Sequence, residues 1–132
     1  MLVFSSREEN VAATAKLLVA EDDIFVRSMI AEFLRDAGFD VLEAGNADEA
    51  IAHFETEKDI DLLFSDVRMP GSMDGTELAK QVKGRWPSTH VVLTSGYSDA
   101  LLETQAKTRQ TVLAKPYRPL SVLAAILSAV DP

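Results

Sequence analysis

Residues able to do phosphate and metal chemistry recur in this chain at the ends of apolar runs. Glu21 and Asp22 follow the run at Leu17–Ala20, and Asp66 closes the run IDLLFSD. Thr94 and Ser95 close the run VVLTS, and Lys115 follows TVLA. A carboxylate at the end of a buried strand is costly unless it meets charge or solvent. Three carboxylates brought together repel one another, so they call for a hard divalent cation with oxygen ligands, such as Mg2+. With that repulsion offset, one carboxylate can attack phosphorus and form an acyl phosphate. Such a transfer depends mainly on in-line positioning and on neutralised equatorial oxygens. Lys115 suits one of those oxygens as a point charge, and the Thr94 hydroxyl suits another.

These groups are far apart in sequence, and the intervening patterns must bring them together. Leu17–Ala20 is short enough for a strand. Phe25, Val26, Met29, Ile30, Phe33, Leu34 and Ala37 recur at helical spacing, with Gly38 at the C-terminal cap position. Phe39–Glu43 reads as a second strand. Asn46 and Glu49 make a capping pair for a helix carrying Ala50, Ile51 and Phe54. Ile60–Asp66 is the third strand, and after the loop MPGSMDG a helix runs from about Thr76 to Arg85, ended by Trp86-Pro87. Val91–Thr94 is strand four, Asp99–Lys107 a weak helix and Thr111–Ala114 strand five. Pro119 opens a last helix through Val130. Five short strands alternating with five helices imply an α/β domain, a parallel sheet covered on both faces. In an open parallel sheet the carboxyl ends share one edge, where ligands bind. Glu21, Asp22, Asp66, Thr94 and Lys115 should therefore converge there.

Composition narrows the class. At 132 residues the chain fits one domain with a real core. No cysteine is present, which excludes disulfides and zinc-thiolate sites. The net charge of −8 argues against nucleic-acid binding, which needs clustered Lys and Arg. No apolar run approaches the roughly 20 residues of a membrane span. The opening MLVF is interrupted at Arg7, Glu8 and Glu9, too soon for a signal segment. A cytoplasmic protein is expected, with residues 1–15 as an extension and residues 16–132 as the domain.

The blocks LLVAEDD, LLFSDVRMPGSMDG, VVLTSGY and LAKPY resemble the signature segments of two-component response-regulator receiver domains. The resemblance runs from about Lys16 to Val130. It implies a flavodoxin-like fold, strand order 2-1-3-4-5, and a cis Lys115–Pro116 bond. It implies Asp66 as phosphoacceptor and Asp22 as a direct Mg2+ ligand. Glu21 would reach the metal through water, and the Arg68 backbone carbonyl would be a further ligand. Thr94 would be the switch hydroxyl and Lys115 the phosphate-pairing lysine. The implied partner is a sensor histidine kinase or a histidine phosphotransfer protein. Two positions depart from the family pattern. MPGSMDG is one residue longer than the usual loop, and Val112 stands where an aromatic switch residue is usual. Tyr97 and Tyr117 are the candidates to replace that aromatic.

Other residues carry plainer expectations. Asp23 should cap the first helix, Asp74 and Gly75 should form a turn with positive φ at the glycine, and Trp86 should pack at a helix end. His53 and His90 lack neighbours at ligand spacing. The last helix, PLSVLAAILSAV, has no charge at all. Leu120, Leu123, Ile126 and Leu127 are expected in the core, leaving Val122, Ala125 and Val130 for a homodimer or docking interface. The expected reading is a stand-alone receiver, with a receiver module of a hybrid kinase or larger regulator as the alternative. A receiver-like binding scaffold and a haloacid-dehalogenase-like Mg2+ phosphohydrolase are rivals. The latter typically carries DxD, whereas Asp66-Val67-Arg68 lacks the second acid.

Overall fold

The computed structural model describes residues 15–96 and 110–130. Within them five strands form one parallel sheet: β1 (Lys16–Ala20), β2 (Asp40–Ala44), β3 (Leu62–Asp66), β4 (His90–Ser95) and β5 (Thr111–Ala114). Their order is β2-β1-β3-β4-β5, as the family resemblance implies. Four helices are described: α1 (Ile24–Asp36), α2 (Ala47–Thr56), α3 (Gly75–Arg85) and α4 (Pro119–Val130). The fifth expected helix, Asp99–Lys107, lies outside the described residues, as do Tyr97 and residues 1–14.

Strand alternation divides the core in two. Leu17 and Val19 of β1 join α1 and α4 on one face, through Ile30, Leu34, Val122 and Ile126. Leu18 and Ala20 join α2 and α3 on the other, through Ala50, Phe54, Leu78 and Val82. All five residues of β3 are buried, so Leu62–Phe64 reads as a continuous apolar run rather than an alternating one before Ser65 and Asp66.

The helix ends follow the local chemistry. Asp23 accepts from the amides of Phe25 and Val26 and caps α1. At the other end Gly38 takes φ 105°, and Phe39 N–H reaches Leu34 O at 3.1 Å. This is the left-handed stop that glycine permits. Asn46 caps α2 as expected, but Glu49 reaches back to the Gly45 amide at 2.8 Å rather than to Asn46. Trp86 packs at the end of α3, stacked on Phe54 at 4.9 Å. His53 meets the Glu43 carbonyl at 2.9 Å, a packing role.

Two expectations are corrected. Val122 is fully buried while Leu120 is 71% exposed, so the inward face of α4 is rotated from the one expected. Ala125 and Val130 are partly buried against the core as well. Gly75 does not adopt positive φ; Gly71 does, at 107°. Gly75 is the first residue of α3, where a Cβ would lie 2.0 Å from the Asp66 carbonyl oxygen. Its requirement is close approach, not turn geometry.

Candidate functional site

Register brings the sequence-distant groups to one edge. Ala20 lies opposite Ser65, Asp66 opposite Thr94, and Ser95 opposite Ala114. The ladder then continues past the strand ends. Glu21 N–H donates to Ala44 O at 3.0 Å, Val67 N–H to Thr94 O at 2.9 Å, and Lys115 N–H to Ser95 O at 2.8 Å. The backbones of Glu21, Asp66, Thr94 and Lys115 are therefore held by neighbouring strands.

Asp66, Glu21 and Thr94 are buried, and Asp22 is exposed at the rim. Oxygens of Glu21, Asp22 and Asp66 all lie within 4.8 Å of one another. Lys115 reaches in from β5, its Nζ donating to Asp66 Oδ2 at 2.9 Å and standing 3.5 Å from Glu21 Oε2. The Lys115–Pro116 bond is cis. Arg68 is exposed and lines an open cleft of about 430 Å³ with Asp22, Met69, Pro70 and Asp74. Asp74 is thus both the cap of α3, accepting from Glu77 N–H at 2.9 Å, and part of the mouth of the site.

Burial and charge act together on the cluster. Burial, and next the Asp66 charge, push the Glu21 carboxyl above its usual range, although Lys115 opposes them. Burial alone would lower Lys115, but the hydrogen bond and charge of Asp66, with Glu21, outweigh it and raise the ammonium above its ordinary value. Three carboxylates against one ammonium leave negative charge in excess. An all-oxygen donor set with surplus negative charge fits a hard divalent cation.

Beside this pocket Tyr117 packs edge-on against Phe64, with ring centroids 5.9 Å apart. Val112 is buried in the sheet, so no aromatic occupies the switch position on β5. Two contacts at the site were not foreseen from sequence. Gly75 gives α3 room under Asp66, and Arg27 donates to the Glu21 carbonyl at 2.9 Å. Neither residue type signals such a contact, which depends on the folded approach of α1 and α3 to the strand ends.

Residues 17–127 match the response regulator receiver domain family. The chain belongs to that family. It is 32% identical over 117 residues to the chemotaxis protein CheY of Listeria monocytogenes, covering 86% of this chain and 97% of that one. It is 32% identical to the transcriptional regulatory protein PdtaR of Mycobacterium tuberculosis over 94% of this chain and 60% of that one. Among solved structures, the CheY-like receiver from Methanospirillum hungatei superposes with TM-score 0.80 at 25% identity, covering 89% of this chain and 94% of that one. The receiver domain of the hybrid histidine kinase CckA superposes with TM-score 0.74 at 36% identity, covering 89% of this chain and all of that one. Receiver domains are phosphoacceptor signalling modules that work with histidine kinases or phosphotransfer proteins, rather than conventional enzymes. No helix among the described residues is long and apolar enough to cross a membrane.

Proposed function

We propose that Asp66 is the phosphoacceptor of this receiver domain, taking a phosphoryl group from a phosphohistidine on a sensor kinase or histidine phosphotransfer protein. One observation carries the reading: Asp66 lies within the same acidic cluster as Glu21 and Asp22 while its Oδ2 is held by Lys115 at 2.9 Å. Asp66 attacks phosphorus, the P–N bond to the histidine breaks, and the imidazole leaves. Lys115 is already on the attacking carboxylate and can pass to a phosphoryl oxygen. Thr94, opposite Asp66 on β4, supplies the hydroxyl for another oxygen. Asp22, Asp66 and the Arg68 carbonyl would hold Mg2+, with Glu21 reaching it through water. When bound, that ion offsets carboxylate charge and charge on the equatorial oxygens.

Phosphorylation biases a two-state equilibrium around Thr94 and the β4–β5 edge. The domain assists its own dephosphorylation, and Arg68 and Gly96 flank the water approach and set its rate. Residues 16–132 constitute the receiver, with residues 1–15 as an extension, and the setting is cytoplasmic. The 36% identity to the CckA receiver supports a second setting, a receiver working within a hybrid kinase phosphorelay. The exposed side of α4 around Leu120 is the proposed contact for a second copy or a docking protein.

The test is acetyl phosphate with Mg2+ on wild type and Asp66→Asn, read by intact mass. Wild type should gain about 80 Da, the mass of one PO3 unit, and the variant nothing. Equal gain by the variant would sink the assignment.

A further inference from the structure

The cation site read above stands on a turn, residues 21–23, that joins β1 to α1. Arg27, one helical turn into α1, donates from Nη1 to the Glu21 carbonyl at 2.9 Å. Its own placement is constrained from two sides. Arg27 Nε faces Glu43 Oε1 on β2 at 3.4 Å, and Glu43 Oε2 is in turn paired with Arg35 at 3.2 Å. Gly45 leaves the guanidinium its space: a Cβ there would lie 3.1 Å from Nη1. The Arg27 side chain is only 18% exposed, so the contact is not a loose surface pairing.

We infer that Arg27 is a positioning residue for the cation site, clamping the Glu21 backbone so that Glu21 and Asp22 converge on Asp66. The inference rests on the cation-site reading above and goes beyond it. The clamp acts on a backbone carbonyl, so it directs the acid pair without adding a ligand. Partners that orient metal ligands typically change affinity by about 10–100-fold when removed. The sign separates this role from plain electrostatics. Deleting a positive charge near a cation site should tighten Mg2+ binding by charge alone, whereas loss of the clamp should weaken it.

The experiment is calorimetric titration of Mg2+ into wild type, Arg27→Met, Arg27→Lys and Gly45→Ala, with melting of each metal-free protein as a check of folding. Arg27→Met should bind Mg2+ about tenfold more weakly. Arg27→Lys, which keeps the charge but not the fork reaching both Glu21 and Glu43, should also weaken it. Gly45→Ala crowds Nη1 and should move affinity in the same direction, which keeps the inference open to test if Arg27→Met fails to fold. Affinity equal to or tighter than wild type in folded Arg27→Met would overturn the clamp while leaving the cation site intact. Failure of wild type itself to bind Mg2+ would overturn both.

Discussion

Asp66 illustrates how much a single side chain owes to atoms that do no chemistry. Its backbone carbonyl lies against Gly75, and its buried neighbour Ser65 donates to the same carbonyl at 2.9 Å. Replacing Gly75 with alanine sets two effects against each other. Alanine is favoured over glycine in a helix by about 1 kcal/mol. Against that, a Cβ 2.0 Å from a backbone oxygen forces α3 or Asp66 to move, and overpacking of this kind costs about 1–3 kcal/mol. The clash should win. Gly75→Ala is expected to lower the urea midpoint and slow phosphorylation by acetyl phosphate. Gly84, in the same helix with nothing within 4 Å of its would-be Cβ, is the control. Gly84→Ala should be neutral or stabilising by up to about 1 kcal/mol. If both variants behave alike, close approach under Asp66 is not what Gly75 provides.

At the scale of elements, the two departures from the family pattern have different consequences. The longer loop is tied down, since Ser72 Oγ donates to Asp48 Oδ1 on α2 at 2.8 Å, after the turn at Gly71. Val112 is buried against the sheet, so any aromatic partner for Thr94 must come from another element. Tyr117, at the β5–α4 junction, is the described candidate. The α4 helix shows the limit of pattern reading most clearly. The helix carries no charge, and only Ser121 and Ser128, seven residues apart and both exposed, mark its outer face, a weaker signal than a charged stripe. Packing places Val122 and Ile126 inward and turns Leu120 out, leaving a narrower apolar contact than the expected Val122, Ala125 and Val130. If that contact makes a dimer, sedimentation velocity should show the weight-average mass rising with concentration. Leu120→Asp, at an exposed position that should leave the fold intact, should then remain monomeric. A wild-type protein that is monomeric at every concentration, with and without phosphodonor, would count against self-association.

The whole molecule's stability should report its site in alkali. Burial, and next the Glu21 charge, push the Tyr117 phenol up from 10.0 to about 12. A group with a raised folded pKa contributes stability that is complete below its unfolded pKa and lost as pH rises through the folded one. For Tyr117 that window is pH 10 to about 12, and Lys115, also raised, acts with the same sign. Unfolding free energy should therefore fall across that range, and less steeply in Tyr117→Phe. An unchanged slope in the variant would show that the phenol is not the cause. The sequence alone determined the sheet, because strand-length apolar runs, caps at Asp23 and Asn46 and stops at Gly38 and Pro87 are local signals that tertiary packing did not override. It also placed Glu21, Asp22, Asp66, Thr94 and Lys115 at or just past the carboxyl ends of strands, and parallel pairing aligns those ends along one edge. Only the tertiary structure decided the close approach at Gly75 and the reach of Arg27 to the Glu21 carbonyl. Each depends on the distance between elements remote in sequence, set by how side chains of both pack together, and residue spacing along one element carries no measure of that distance.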